Sequence, residues 1–555
     1  MQRLLRGVLV AFLASIPYFA GGPQVRAQET PPAPGSAAPP TLYGEAGAVT
    51  LTLQEVMKSA LEKNLDIAVR RYDPQITETA IDTQRAVFSP TLDFSARDGE
   101  STSPQNTQLG GGNVVTDATR NFSATYTDPF AIGSTFQFTM LTNRSSTTST
   151  FSTVNPSYFS EALATYTQPL LRNLGLSVNR TGILIAQNNE KISKSQFRQT
   201  VMDTLASAEK AYWDLQSAIM NQRAQEASLK LAQDFLEQTR IKVRVGTLPP
   251  IEITQAEASV ADREDGIITG LAAIRTAEDS LRALMNIPYD SPLWHQPIHP
   301  ADEPQVLEKI VNEDEAVKTA LDKRPDLEQA RLDLANRNAD LHYRKNQRLY
   351  RLDLIAQYGA QGLAGTFLPF TQTFVTADPS TPPGCVPDPV DPTICHLVVN
   401  PPDLSIGNSY TQIRNRDFDN WSGQLQLSIP LGNRAADAAY TASKYQQEQS
   451  KFSIERLEQT AMVQVRNAVR QVDTDLKRVN AARVNTRLQT EKLCAEQKKY
   501  ENGMSTAFQV LSFQTDLTTA KLRENQAIVD YNKSLVELDR VLGILLDTHN
   551  ITVAS

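Results

Sequence analysis

Apolar positions along this chain follow two different periods. Between about Leu176 and Val245, Val201, Leu205, Ala208, Tyr212, Leu215 and Ile219 step alternately by four and three, and Leu229, Ala232, Leu236, Thr239 and Val243 continue the alternation. That spacing is a coiled-coil seam. No proline and only one glycine, Gly182, interrupt this stretch, so roughly 70 residues predict one helix of about 105 Å. Val510, Phe513, Leu517 and Ala520, then Ile528, Tyr531, Leu535, Leu538 and Leu542, repeat the seam near the C-terminus. The second period is two. Residues 91–96, 121–127, 135–140, 163–168, 352–358 and 421–429 alternate apolar or aromatic with small polar residues and predict strands. Residues 99–119, 144–157 and 361–417 are rich in Gly, Ser, Thr and Pro and read as exposed loops.

The two periods recur in the same order because the chain is internally duplicated. Residues 54–67 (QEVMKSALEKNLDI) align without a gap on 314–327 (DEAVKTALDKRPDL), and Leu92-Asp93 keeps the same offset from Leu352-Asp353. Pro169 in TQPLL answers Pro430 in SIPLG, each just before a long helix. Val245-Gly246-Thr247 answers Asn502-Gly503-Met504, and Leu281, Leu284, Met285 and Ile287 answer Leu538, Val541, Leu542 and Ile544. The boundaries follow: a first repeat at 51–290, an inter-repeat linker at 291–312 and a second repeat at 313–546.

Helices predicted over 54–88 and 251–286 together match the long one between them in length. Two short helices stacked end to end would therefore flank one long helix, with the strands emerging where they part. Strands apolar on one face and polar on the other suit a barrel wall between lipid and water, and equally a half-buried sheet. A few strands cannot close a barrel alone, and an open edge is not viable in lipid, so several chains must share one.

The ends and the charge add a compartment. Arg3 and Arg6, an apolar stretch from Gly7 to Ala20 and Val25-Arg26-Ala27 form a secretory leader over 1–27, followed by a Pro/Ala-rich linker at 28–50 that reads as disordered. Loss of the leader takes three arginines and no acids, moving the formal charge from −8 to about −11, which argues against a nucleic-acid partner. No later stretch reaches eighteen consecutive apolar residues. Cys385 and Cys395, in a Pro-rich loop of an exported chain, suit a disulfide, with metal binding alongside His396 as the rival reading. Cys494, within a helical pattern, reads as a buried thiol.

Taken together, these features resemble the TolC family of outer-membrane efflux proteins over roughly residues 51–545: the duplicated opening, Pro169 and Pro430 at the strand-to-helix turns, the glycines Gly246 and Gly503, and the closings LRALMNI and LDRVLGI. The resemblance implies an α+β membrane protein, a homotrimer sharing one β-barrel with about four strands per protomer, continued by long periplasmic coiled coils. It implies an outer-membrane channel of a tripartite efflux or type I secretion system. The turns Val245-Gly246-Thr247-Leu248 and Asn502-Gly503-Met504-Ser505 would dock a periplasmic adaptor, itself joined to an inner-membrane pump of RND or ABC type. Glu252 and Tyr500 match a gating acid and tyrosine. The family's basic residue is Ser505 here, and its entrance acids fall at Gln509 and Ser512, which removes the acidic ring. Residues 121–143 look like a hairpin added to the family's strand set.

No catalytic reading emerges, and no cofactor is expected. His295 and His299 are four apart, but Pro297 and Pro300 prevent one helical face. No nucleophile motif or phosphate loop is present. The alternative function is a periplasmic coiled-coil scaffold or adhesin without a pore.

Overall fold

The computed structural model describes residues 48–105, 113–375, 382–399 and 401–552. The leader and nearly all of the linker at 28–50 lie outside the described residues. The first half runs β1 (Val49–Leu51), α1 (Leu53–Lys63), α2 (Leu65–Arg70), α3 (Tyr72–Arg85), β2 (Thr91–Pro104), β3 (Val114–Pro129), β4 (Thr135–Thr147), β5 (Val154–Pro169), α4 (Leu176–Asn179), α5 (Thr181–Arg244) and α6 (Ile251–Leu284). A connecting segment holds α7 (Pro292–His295) and β6 (Ile298–Pro300), and β6 pairs in parallel with β1. The second half runs α8 (Glu313–Lys323), α9 (Pro325–Gln347), β7 (Arg351–Phe367), β8 (Phe370–Val375), β9 (Val386–Pro387), β10 (Ile394–Val399), α10 (Ile406–Asn415), β11 (Phe418–Ser428), α11 (Arg434–Glu501), α12 (Ala507–Leu542) and α13 (Leu545–Thr548).

The long helices are α5, of 64 residues, and α11, of 68, each about 100 Å long. The predicted seams are interior: Val201, Leu205, Ala208, Tyr212, Leu215 and Ile219 of α5 are all buried, as are Val510, Leu517, Tyr531 and Leu538 of α12. Tyr212 is tied at its polar end, where its hydroxyl donates to Asp302 Oδ2 at 2.9 Å. Burial there pushes its phenol well above the usual range. Cys494 is exposed rather than buried. The inward positions on that turn of α11 are Leu493, Glu496 and Tyr500, spaced by three and four, and Cys494 falls beside them.

The opening helix, expected in one piece over 54–88, is broken. Asn64 adopts ψ 131°, and its side chain caps α2 by accepting from Asp66 N–H at 2.9 Å. Its Nδ2 donates to Leu284 O at the end of α6, at 2.9 Å. The second repeat breaks at the equivalent residue by different chemistry: Arg324 is extended at ψ 126° because it precedes Pro325, and its guanidinium donates to Val541 O at 3.3 Å. Each closing helix ends on a left-handed residue at matching positions, Asn286 (φ 48°) and Gly543 (φ 76°). Thus α6 abuts α2 and α12 abuts α9, and each stacked pair runs beside a long helix. A Cβ on Gly543 would lie 2.9 Å from Lys323 O, so this junction admits no side chain.

The sheet differs from the four strands expected. It has six, all antiparallel, in the order β11-β7-β5-β4-β3-β2. The additional hairpin is β3–β4, turning at Gly133 (φ 97°), and it lies inside the sheet between β2 and β5. The loops at 99–119, 144–157 and 361–417 are correspondingly shorter than expected. Their Ser/Thr-rich ends pair as strands, with Thr102 and Thr116 hydroxyls 3.0 Å apart across the ladder. Such residues read as loop in isolation but are strand chemistry on a wet face.

Beyond β7, the strands β8, β10 and β9 form a separate three-stranded sheet, crossed by the Cys385–Cys395 disulfide with Cα atoms 5.5 Å apart. His396 Nε2 lies 2.8 Å from Asp388 Oδ2. No cluster of potential metal ligands occurs among the described residues, so the metal reading of this loop has no ligand set.

Candidate functional site

Two regions carry the chemistry available for function: the helical tips far from the sheet, and the two faces of the sheet itself. At the tips α5 turns into α6 and α11 into α12 through the same backbone device. Gly246 (φ 83°) donates to Val243 O at 3.0 Å and Thr247 N–H to Lys242 O at 2.9 Å. Gly503 (φ 75°) donates to Tyr500 O at 3.1 Å and Met504 N–H to Lys499 O at 2.9 Å. Both are the six-to-one and five-to-two pattern that a left-handed residue closes.

The tips expose apolar side chains. Val245 and Met504 are each 72 % exposed and Phe508 is 70 %. Leu248 instead packs inward, against a cluster of Phe235, Leu236, Ala256, Leu493, Tyr500, Ala507, Val510 and Leu517 that draws on all four helices. Ile251 and Phe508 were not singled out from sequence; they are apolar residues in the first turn after each tip, where a solvated helix start would carry polar ones.

Tyr500 joins the two hairpins. Its ring lies 5.2 Å from that of Phe235, and Lys242 Nζ sits 4.0 Å from its centroid while donating to Tyr500 O at 3.3 Å. Burial pushes the phenol above its usual range, and the Glu252 carboxylate adds to the rise. Glu252 and Tyr500 are thus brought near one another, yet neither Glu252 Oε2 nor Tyr500 Oη makes a close hydrogen bond among the described residues, and the Thr239 side chain beside the phenol offsets only part of the rise. Ser505, in the place of a base, donates to Glu496 Oε1 at 2.6 Å. With Lys499 at 3.2 Å, it holds that carboxyl below the ordinary range. Lys242 was missed from sequence although it stands three residues after Thr239, beside the seam. Gln509 supplies a backbone N–H to Thr506 Oγ1 at the start of α12, a capping contact.

Pro169 and Pro430 stand where expected. Pro169 is the last residue of β5 and Leu170 N–H returns to Leu352 O, while Pro430 and Gly432 (φ 86°) separate β11 from α11.

The register sorts the sheet into two chemistries. On one face Leu92, Tyr126, Phe138, Ala164, Tyr358 and Trp421 form a single cross-strand row, and Phe94, Ala124, Met140, Ala162 and Ala360 form the next, which ends on Asp419 at the edge strand. The opposite face carries Ser95, Ser123, Thr125, Thr139, Thr165, Gln357 and Ser422. The apolar face is open: Phe94 is 67 % and Trp421 81 % exposed. Along β7 it runs from Leu352 to Ala364, about 30 Å at a 40° tilt.

A two-faced sheet raised on paired helical hairpins is the architecture of the outer-membrane efflux channels. A family profile described as outer membrane efflux protein matches residues 135–286 and 316–544, and the chain belongs to that family, the TolC-type channels. Solved structures agree in fold. The chain resembles the Campylobacter jejuni CmeC outer membrane channel (TM-score 0.59, 14 % identity, covering 89 % of this chain and 86 % of that one). It also resembles the outer membrane protein VceC of Vibrio cholerae (0.59, 14 %, 88 % and 96 %) and the open state of the Neisseria gonorrhoeae MtrE channel (0.53, 18 %, 88 % and 88 %). A comparison with curated proteins finds no match.

Proposed function

We propose that this protein is the passive outer-membrane duct of a tripartite efflux or type I secretion system, working as a homotrimer whose sheets close one barrel. The observation that carries the reading is the six-stranded sheet, with an exposed apolar face, a polar face, and strands β2 and β11 left as edges. In lipid those edges must be paired, and pairing β2 of one copy with β11 of the next satisfies both. Three copies give eighteen strands, and at about 4.8 Å spacing and 40° tilt the barrel measures about 36 Å across its backbone, against about 24 Å for twelve.

The helical part agrees in width. At each level a protomer contributes four helical positions: α5, α11 and one member of each stacked pair. Twelve helices about 9 Å apart enclose a ring about 35 Å across. The exposed apolar tips, Val245 and Met504 beside Gly246 and Gly503, serve as the docking surface for a periplasmic adaptor, which brings an RND- or ABC-type pump. Glu252, Tyr500 and Lys242 serve as the entrance closure.

Purified protein tested in planar bilayers decides the matter: a trimer that inserts and conducts supports the duct, and a soluble monomer without conductance refutes it. Crosslinking from Val245 and Met504 in cells should capture an adaptor.

A further inference from the structure

One row of the apolar face does not belong to it. Immediately beyond Ala96, Phe122 and Thr142, the register places Asp98, Arg120, Arg144 and Tyr158 side by side on four adjacent strands. Arg120 and Arg144 are directly opposite one another, an unfavourable arrangement for like charges unless an anion lies between them. Arg120 pairs with Asp98 at 3.1 Å, both side chains about two-thirds exposed, whereas Arg144 has no ion pair among the described residues. The other acids on this face are Glu100, two strands from Arg144 and one row nearer the loops, and Asp128 and Asp419, both lower on the wall, on β3 and β11.

The height of this row matters. Through Tyr158 it aligns with Ala364, at the far end of the 30 Å apolar span that begins at Leu352. That is the depth at which hydrocarbon gives way to headgroups. A second sign marks the same level. Helix α10 leans over the face there, covering Thr142 and Ser160 with a hydroxyl network in which Ser160 Oγ lies 2.9 Å from Ser409 Oγ and Thr142 Oγ1 2.8 Å from Tyr410 Oη. Lipid tails could not satisfy these hydroxyls, so the helix takes their place. Arg414 and Arg416, at its end, add two exposed guanidiniums without ion pairs among the described residues.

We infer that Arg120 and Arg144 form a binding site for the phosphate of an anionic lipid headgroup at the loop-side rim of the wall. The inference rests on the channel reading, since it needs the apolar face to meet lipid. Two guanidiniums on neighbouring strands offer paired donors to one phosphate, the geometry arginine recognises best. Asp98 orients Arg120 without neutralising Arg144.

The test uses the full-length trimer in detergent with diphosphoryl lipid A as probe, bound lipid being counted by native mass spectrometry. R120Q/R144Q should lose about tenfold or more in lipid affinity. R97Q, next to Asp98 on the same strand but on the polar face, should lose nothing. R144Q alone, which keeps the Asp98–Arg120 pair, should show an intermediate loss and guards against misassembly of the double variant. Undiminished lipid binding by R120Q/R144Q, an equal loss in R97Q, or displacement of the lipid by millimolar inorganic phosphate would overturn the proposal. A wild-type trimer that fails to insert into bilayers would overturn the channel reading instead, so the two failures are distinguishable.

Discussion

Replacing Lys242 by Met should loosen the closed tip. The ammonium makes two contacts with the opposite hairpin, the ring of Tyr500 at 4.0 Å and its carbonyl oxygen at 3.3 Å. A half-exposed cation–π contact is worth about 0.5–1 kcal/mol. The hydrogen bond is long and partly solvated, so it adds about as much again. The loss is then about 1–2 kcal/mol per protomer, near tenfold in the equilibrium between joined and separated hairpins. If the three tips part together, the open fraction rises by about two to four orders of magnitude. Met keeps the length and the apolar stem, so packing against the Tyr500 ring should persist. Single-channel recording of K242M against wild type reads the open fraction directly, and K242R should stay closed. An open fraction in K242M within a factor of two of wild type would refute the assignment of Lys242 to the closure.

The other expectations concern backbone, pH and the added hairpin. Gly503 and Gly543 have nearly the same φ, but only at Gly543 would a Cβ meet a neighbour, Lys323 O at 2.9 Å. G503A should therefore lose about 1 kcal/mol of stability from backbone strain alone and G543A clearly more; equal thermal shifts would contradict this. His549 lies 3.2 Å from the buried Glu209 carboxylate, whose hydrogen bond raises its pKa above 6.5. A raised value in the folded state means that this stability is fully present below about pH 6.5 and is lost as pH rises through the folded pKa. The melting temperature should fall on that upward path and the fall should shrink in H549Q; an identical pH slope in H549Q would exclude the pair. Deleting residues 113–148, the β3–β4 hairpin with its flanks, leaves β2 and β5 antiparallel and should narrow the barrel from about 36 to about 24 Å. Images of the trimer along its axis measure this, and an unchanged diameter would show that the hairpin does not enter the wall.

The repeat and the helical seams were legible in the sequence because both are periodic, and burial rewards the period directly. The six strand segments were legible for the same reason, down to the alternation that sorts Phe94 from Ser95. Their lengths were not: Thr102, Thr116 and Ser145 resemble loop residues, and only pairing with one another makes them strand. The break at Asn64 was hidden too, since a lone Asn inside a helical pattern becomes a cap only when Leu284 O arrives from 220 residues away to use its amide. At the tips the glycines announced themselves through their turns. Lys242, Glu496 and Phe508 did not, because a lysine, a glutamate and a phenylalanine on a long helix take their meaning from the neighbouring hairpin.

The strand count and the helix count also constrain each other. Both parts of a threefold assembly must fill the same 120° sector per protomer. Four helical positions at about 9 Å span roughly as much arc as six tilted strands, whose lateral pitch is about 6 Å each. Four strands span only two-thirds of that arc, so a four-stranded protomer on the same helices must draw inward where the sheet begins. In the proposed trimer the added hairpin would remove that step, and the wall would continue upward from the helices at constant radius. The narrowest point of the proposed passage would then move away from the barrel to the tips, where Tyr500, Lys242 and Glu252 converge. On that reading, control of what passes would fall to the tips rather than to the barrel.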